Sequence, residues 1–201
     1  MENNTQLKEM IRSMVIDVLQ GQKQEAASSQ PIKQVPRGQV EPGVFDTVDE
    51  AIQAAKAAQA RFEDCTLATR EKVIADIRTA MRPRVQELAQ KTVEETGMGR
   101  VADKVLKLNL TLDKTPGVED LVTECETGDN GMTLYELSAY GVIGAITPST
   151  NPAETLICNT IGMLAAGNAV FFSVHPGAKH LSRLLVSELN QIIAKSIGIE
   201  N

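Results

Sequence analysis

Apolar residues recur at helical intervals within the first twenty positions of the chain. Spacings of three and four place them on one face of an α-helix, and they are Leu7, Met10, Ile11, Met14, Val15, Val18 and Leu19. Gly21 follows and is typical of a helix end. Residues 21–43 are rich in Gln, Ser, Pro and Gly, which predicts a flexible linker. The pattern therefore predicts an amphipathic helix, residues 1–20, tethered to the rest of the chain.

This helix needs a surface against which its apolar face can pack. Three surfaces remain open from the residues alone: its own domain, another copy of the chain, or an external partner. The opposite face has mixed charge from Lys8, Glu9, Arg12 and Asp17. Interfacial membrane helices favour Lys and Arg, so a membrane surface is the least suitable external partner.

Helical periodicity returns after the linker. Thr47 and Glu50 form a capping-box signal before an Ala-rich helix that extends to about Phe62. A longer helix is predicted over about 68–96, and Pro83 should kink or split it, since proline has no N–H to donate. Gly97 ends that pattern. Two further helices are predicted over about 101–113 and 177–196.

Two short apolar runs flank another helix. Residues 141–147 and 169–174 have the length of buried strands, and the helix between them has Leu156, Ile157, Ile161 and Leu164 on its buried side. Strands joined by a crossover helix are parallel, and ligands bind such sheets at the carboxyl ends of the strands. Those ends are residues 147–151 and 175–178. A separate strand is predicted over 132–140, after the Asp129-Asn130-Gly131 turn.

The turn after the first of these strands contains the strongest single candidate for chemistry. Asn151 and Pro152 have the residue types of a helix N-cap and first helical position. A side-chain amide there can cap the helix, or it can donate to an oxygen that becomes negative during acyl transfer. The residues alone leave both roles open, and the two can coexist.

Composition excludes several classes of partner. The 201 residues have a net charge of −6 and 3% aromatic residues, which argues against a basic, base-stacking nucleic-acid surface. No apolar run is long enough to span a membrane. The odd cysteine count, without a CxxC pair, suits a reducing cytoplasm, and we predict no metal site.

Several longer sequence blocks resemble one enzyme family. The stretch TPSTNPAET, residues 147–155, is followed by MLAAGNAVFFSVHPGAK, residues 163–179. Further blocks are EETGMGRVADK at 94–104, TPGVEDL at 115–121 and TGDNGM at 127–132. From about Val44 onward the chain resembles the CoA-acylating aldehyde dehydrogenases of bacterial microcompartments, which act on acetaldehyde or propionaldehyde. The TPGVEDL and YGVIG segments are most similar to the propionaldehyde branch.

The resemblance implies an α/β fold, here the N-terminal part, residues 44–201, of a doubly wound, Rossmann-like cofactor domain. Asn151 would help form the oxyanion hole. The cofactors would be NAD and coenzyme A, and two segments would line the cofactor groove: Thr147, Pro148, Ser149 and Thr150, and His175, Pro176, Gly177 and Ala178. His175 and Ala178 replace a Lys and a Glu found in hydrolytic relatives, which weakens the expectation of strict NAD preference and leaves room for NADP. The chain has no GxGxxG motif to support this independently.

The family's reaction requires a cysteine thiolate, which the resemblance places beyond residue 201. Cys158 is expected to lie buried in the crossover helix among apolar residues and therefore to be inert. The resemblance also makes the 1–20 helix an encapsulation peptide that binds microcompartment shell proteins. We therefore expect a homo-oligomeric enzyme located in the cytoplasm, inside a microcompartment, with a small aldehyde as substrate.

The chain ends where the next strand of the sheet is expected. We therefore interpret it as the N-terminal part of a longer enzyme, inactive by itself because the nucleophile is missing. The alternative is a non-catalytic cargo or assembly module that keeps the shell-targeting helix without the chemistry.

Overall fold

The computed structural model describes residues 41–198. The predicted helix in residues 1–20 and the linker up to residue 40 lie outside this part of the chain. In the part described, the α-helices are α1 Val48–Phe62, α2 Leu67–Met81, α3 Val85–Thr96, α4 Val101–Lys114, α5 Pro152–Ala165 and α6 Lys179–Ser196. No helix among these residues is long and apolar enough to cross a membrane.

Local sequence signals set the ends of the first three helices. The Thr47 hydroxyl accepts a hydrogen bond from Glu50 N at 3.2 Å, and the Glu50 carboxylate accepts one from Thr47 N at 3.2 Å. This confirms the capping box. Pro83 lies in a short 3₁₀ turn, Arg82–Arg84, between α2 and α3, which confirms the predicted split. Gly97 ends α3 in a left-handed conformation at φ 67°.

A β-hairpin follows α4. Strand β1, Glu124–Gly128, pairs antiparallel with β2, Gly131–Tyr135, around the predicted turn. The strand predicted over 132–140 is confirmed as far as Tyr135 and is wrong beyond it, because β1 offers no backbone partner past Glu124, which pairs with Tyr135. Strand β1 was missed in the sequence because its residues, ECETG, have no alternating apolar pattern.

The predicted parallel unit is confirmed. Strand β3, Val142–Thr147, pairs in parallel with β4, Ala169–Val174, and α5 connects them. The register places Thr147 opposite Val174, so both strands end at the same edge of the sheet. Each is therefore followed at that edge by a segment that can contact a ligand.

The core lies between α5 and the helices α2, α3, α4 and α6. Its completely buried side chains are Val73, Ile77, Leu88, Ala89, Leu108, Leu112, Ala153, Leu156, Ile157, Ile161 and Leu185. Phe172 and Val174 of β4 pack against the same cluster. Burying each Leu, Ile or Val contributes about 1.5–3 kcal/mol. The core therefore fixes α4 and the beginning of α5 relative to each other, which determines the geometry of the site.

Candidate functional site

The segment after β3 exposes backbone and polar groups at the sheet edge. Pro148 and Thr150 are exposed, whereas Ser149 and Asn151 are half-buried. Thr147 is buried, and its Oγ1 has no hydrogen-bond partner within residues 41–198. A buried hydroxyl without a partner is costly unless water or a ligand satisfies it. The segment thus has an unsatisfied polar group at the position where sheets of this kind bind ligands.

Asn151 lies at the N-cap of α5, as predicted, but its side chain does not cap the helix. Only its backbone takes part, since Asn151 O accepts the first helical hydrogen bond from Thr155 N at 3.0 Å. Of the two roles that the sequence left open for this amide, side-chain capping is absent from the structure. Two lysines of α4 hold the amide instead: Asn151 Oδ1 accepts hydrogen bonds from Lys104 Nζ at 3.2 Å and from Lys107 Nζ at 3.1 Å.

This arrangement fixes the orientation of the amide group. An ammonium group only donates hydrogen bonds, so the side-chain atom facing the lysines must be the oxygen. The amide nitrogen, Nδ2, is left without a partner among the described residues, and Asn151 is only half-buried. Nδ2 therefore remains able to donate to a ligand at the sheet edge.

Lys104 is the buried member of the lysine pair, with 3% of its surface exposed. Besides Asn151, its ammonium donates to Thr150 O and lies 3.5 Å from Glu154 Oε1. Gly99, at φ +80°, lies beside its stem, where an added Cβ would be 3.3 Å from Lys104 Cε. Lys104 thus reaches under the turn after β3 and supports it from α4.

Glu154 lies in the first turn of α5 and is also buried. Neither carboxylate oxygen makes a hydrogen bond to another described residue, so the ion pair with Lys104 compensates its charge. A buried carboxylate is costly without such a partner. The Lys104–Glu154 pair therefore couples the start of α5 to α4, and removal of either partner alone leaves a buried charge.

Lys107 is exposed and belongs to a second group of charges at the start of α4. There Arg100 Nε lies 2.7 Å from Asp103 Oδ2. The Arg100 guanidinium, together with Lys107, lowers the pKa of Asp103 below its usual value. Asp103 therefore stays ionised and offsets part of the positive charge near Asn151.

Sequence reasoning missed Lys104, Lys107 and Glu154. One signal was present: Lys104, Leu108 and Leu112 stand four residues apart, on the stripe of the predicted helix that should face the core. A lysine on such a stripe indicates a buried charge with a partner elsewhere in the chain. Periodicity alone does not identify that partner, and Asn151 lies 47 residues away.

The segment after β4 differs from the one after β3. His175 Nδ1 accepts a hydrogen bond from Gly177 N at 3.0 Å and so stabilises the 3₁₀ turn Pro176–Ala178. His175, Pro176 and Gly177 are exposed, but Ala178 is completely buried and has little surface to offer a cofactor.

The start of α6, just after this turn, is occupied by a carboxylate from α3. The two oxygens of Glu95 accept hydrogen bonds from His180 N and Leu181 N, each at 2.7 Å. These backbone N–H groups would otherwise lack a partner and attract an anion. Glu95 therefore neutralises the beginning of α6 with a group from the chain itself.

The expectation that Cys158 is buried is wrong, because it is exposed. The buried stripe of α5 passes through Leu156, Ile157 and Ile161, and Cys158 lies on the opposite face with Gly162. Geometry gives a better reason to exclude it as the nucleophile. It stands seven residues beyond Asn151, about 10 Å along the helix, whereas an oxyanion must lie about 3 Å from its donor.

Taken together, the turn after β3 can stabilise a negative oxygen. Asn151 Nδ2 has no partner within residues 41–198, the first N–H groups of α5 lack intrahelical partners, and two ammonium groups lie behind the amide. Donors held in fixed positions are what acyl-transfer chemistry requires around a developing oxyanion.

Comparison with known proteins identifies relatives of the chain. The chain is 45% identical over 199 residues to propanal dehydrogenase (CoA-propanoylating) of Salmonella typhimurium, covering 99% of this chain and 41% of that protein. It is 47% identical over 161 residues to acetaldehyde dehydrogenase (acetylating) EutE of Escherichia coli, covering 80% of this chain and 34% of that protein. The chain thus spans less than half the length of either relative.

A solved structure is similar over most of the chain. It is the His387Ala mutant of the propionaldehyde dehydrogenase from the Clostridium phytofermentans fucose utilisation bacterial microcompartment, with a TM-score of 0.75 and 49% identity. The match covers 78% of this chain and 36% of that one. A sequence model of the aldehyde dehydrogenase family matches residues 18–193. The match spans most of the chain, and its fold agrees with solved enzymes of this kind, so the protein belongs to the aldehyde dehydrogenase family.

Proposed function

We propose that this chain is the N-terminal part of an enzyme that converts propionaldehyde or acetaldehyde, CoA and NAD into acyl-CoA and NADH. The observation that carries the proposal is the side-chain amide of Asn151, which lies just after the carboxyl end of β3. Its oxygen is held by two lysines and its nitrogen is available to a ligand. The CoA-acylating activities of the two relatives support the choice of reaction.

The chemistry follows from the position of this donor. A cysteine thiolate attacks the aldehyde carbon, and the carbonyl oxygen becomes negative in the resulting thiohemiacetal. Asn151 Nδ2 and the start of α5 would stabilise that oxygen. NAD, when bound, accepts the hydride. Loss of the hydride leaves an acyl thioester on the cysteine. The thiol of CoA then takes the acyl group and the cysteine thiolate is released.

The nucleophile of this reaction is proposed to lie outside residues 1–201. Among the cysteines, Cys65 is half-buried and Cys125 lies in the exposed hairpin, while Cys158 is about 10 Å from Asn151 along α5. Cys158 therefore lies too far from Asn151 for its amide to reach an oxyanion formed on that cysteine. We therefore expect residues 1–201 to be inactive by themselves.

The residues proposed to bind the nicotinamide cofactor fit that role to different degrees. Pro148 and Thr150 are exposed at the edge and can contact a ligand, whereas Thr147 is buried together with its hydroxyl and contributes less. The imidazole ring of His175 is exposed and can contact the cofactor. Because Ala178 supplies no carboxylate, we expect a ribose phosphate to be tolerated better than in enzymes with a Glu there.

The first twenty residues are proposed to direct the enzyme to a microcompartment shell. Their single apolar face supports this, as does the microcompartment origin of the similar solved structure.

The choice of propionaldehyde as substrate rests on how much of the chain each relative matches. The Salmonella propanal dehydrogenase match covers 99% of the chain, whereas the EutE match covers 80%, which supports a propionaldehyde enzyme. A homo-oligomer located in the cytoplasm within a shell completes the proposal.

Product analysis tests the reaction. An enzyme that carries this segment and its catalytic cysteine should form NADH and propionyl-CoA in equal amounts from propionaldehyde, NAD and CoA. Residues 1–201 alone should form neither. Release of free propionate without a CoA requirement would contradict the acylating reaction, and turnover by residues 1–201 alone would contradict the missing nucleophile.

A fluorescent fusion tests the targeting helix. Residues 1–20 fused to a fluorescent protein should concentrate in assembled shells, because several apolar side chains can each stabilise docking by about 1.5–3 kcal/mol before ordering costs. Ile11→Glu with Val15→Glu should abolish this, whereas changes to Lys8 and Arg12 on the other face serve as the control and should matter little. Diffuse fluorescence from the unmutated fusion would contradict the proposal and favour self-association.

A further inference from the structure

We infer that Lys104 is a positioning residue: its buried ion pair with Glu154 orients the amide of Asn151 so that Nδ2 faces the substrate. The inference rests on the proposed function. It goes beyond that function by assigning the orientation of the oxyanion donor to a charge pair between α4 and α5.

The Lys104 ammonium has two hydrogen-bond acceptors and one ion-pair partner. They are Thr150 O, Asn151 Oδ1 at 3.2 Å and Glu154 Oε1 at 3.5 Å. The first two belong to the turn after β3, and the third belongs to the first turn of α5. Lys104 thus contacts the turn both before and after the residue that it orients.

The burial of both charges makes the arrangement rigid. Lys104 and Glu154 are 3% and 7% exposed, so neither can turn to water without disrupting the core around it. Lys107, which also donates to Asn151 Oδ1, is exposed and can exchange this contact for water. The buried lysine, rather than the exposed one, therefore determines the direction of the amide.

An Asn at a helix N-cap normally turns its side-chain oxygen to the backbone N–H groups of the first turn. That orientation would occupy the amide with capping and redirect Nδ2. By holding the oxygen from α4, Lys104 prevents the capping bond and keeps the donor available. Gly99 leaves room for the lysine stem, since an added Cβ would be 3.3 Å from Lys104 Cε.

The experiment uses the complete enzyme that carries this segment and compares kinetic constants. Lys104→Met with Glu154→Gln removes both buried charges together, so no unpaired charge remains to prevent folding. We expect kcat to fall about 10- to 100-fold, as for a small misplacement of a catalytic group, with the KM for NAD and CoA little changed. Lys114→Met, the same change on an exposed part of α4, is the control and should leave kcat unchanged.

A double-mutant cycle separates positioning from a general structural effect. If Lys104 acts through Asn151, the Lys104→Met and Glu154→Gln changes should cost no further rate once Asn151→Ala is present. We call the combination of Lys104→Met and Glu154→Gln the charge-free variant. The inference is overturned if these two changes lower kcat equally in the parent and in the Asn151→Ala enzyme, or if the charge-free variant has the parental kcat. If Asn151→Ala alone keeps the parental rate, the proposed role of Asn151 fails instead, and the two failures are thus distinguishable.

A second readout uses the chain itself. In an amide NMR spectrum of residues 1–201, the side-chain NH₂ signals of Asn151 should shift when Lys104→Met and Glu154→Gln are combined, because the side-chain oxygen can then turn to the backbone N–H groups of α5. Lys107→Met should shift them less. Unmoved Asn151 signals in the charge-free variant would contradict the inference independently of any catalytic assay.

Discussion

The segments after β3 and β4 lie at the same edge of one sheet, yet the helices that follow them begin in opposite ways. Helix α5 begins at Asn151, whose side chain leaves the backbone uncapped and is held by lysines of α4. Helix α6 begins under the carboxylate of Glu95, which accepts hydrogen bonds from two of its N–H groups. The first helix start is open to an anion, whereas the second is already neutralised.

The difference indicates a division of roles between the two segments. A helix start with free donors and nearby cations suits a charge that develops during the reaction. A helix start occupied by a carboxylate is stabilised permanently and disfavours a second anion. We therefore expect changes at the first segment to affect rate and changes at the second to affect stability.

The largest expected effect is at Asn151. In the complete enzyme, Asn151→Ala should lower kcat about 10²–10³-fold, the usual cost of losing one oxyanion donor. The free energy of unfolding should fall by about 1–3 kcal/mol, because the mutation removes one acceptor of the buried Lys104 ammonium but no capping bond. Steady-state kinetics and calorimetry measure the two quantities. A near-normal kcat would show that the segment after β3 has no catalytic role and does not differ in this way from the segment after β4.

Two glycines of the loop between α3 and α4 test how the first segment depends on Lys104. Gly97 and Gly99 have φ values of 67° and 80°, so alanine at either position should cost about 1–2 kcal/mol of stability through backbone strain. An added Cβ at Gly97 meets no atom within 4 Å, whereas at Gly99 it approaches Lys104. Only Gly99→Ala should therefore also lower kcat. Equal kcat values for the two variants would show that the α3–α4 loop does not influence the function of Asn151 through Lys104.

The smallest expected effect is at Glu95. Glu95→Ala should destabilise the protein by about 0.5–2 kcal/mol, as for the loss of a helix cap, and leave kcat close to that of the parent. The vacated N–H groups of α6 should also lower the KM for NADP relative to NAD, since a phosphate can then approach them. A large loss of kcat without loss of stability would show that the two segments do not divide their roles in this way.

Sequence periodicity predicted most of the fold. The capping box at Thr47, the split at Pro83 and the parallel pairing of 141–147 with 169–174 are all confirmed. Each depends on a backbone property or a pattern within a few neighbouring residues. The hairpin was predicted only in part, because the polar strand β1 has no periodic signal and is defined by its pairing with β2.

The sequence by itself determined the position of Asn151 at the start of α5, since Asn-Pro after a buried strand specifies a helix start. Only the tertiary structure decided the direction of its side chain. The Asn151 oxygen accepts a hydrogen bond from Lys104 instead of capping α5, because the packed core brings α4 against α5 and excludes water from the Lys104–Glu154 pair. The same packing decided that Cys158 faces outward. Interactions between distant residues depend on which faces the core buries, and no local pattern contains that information.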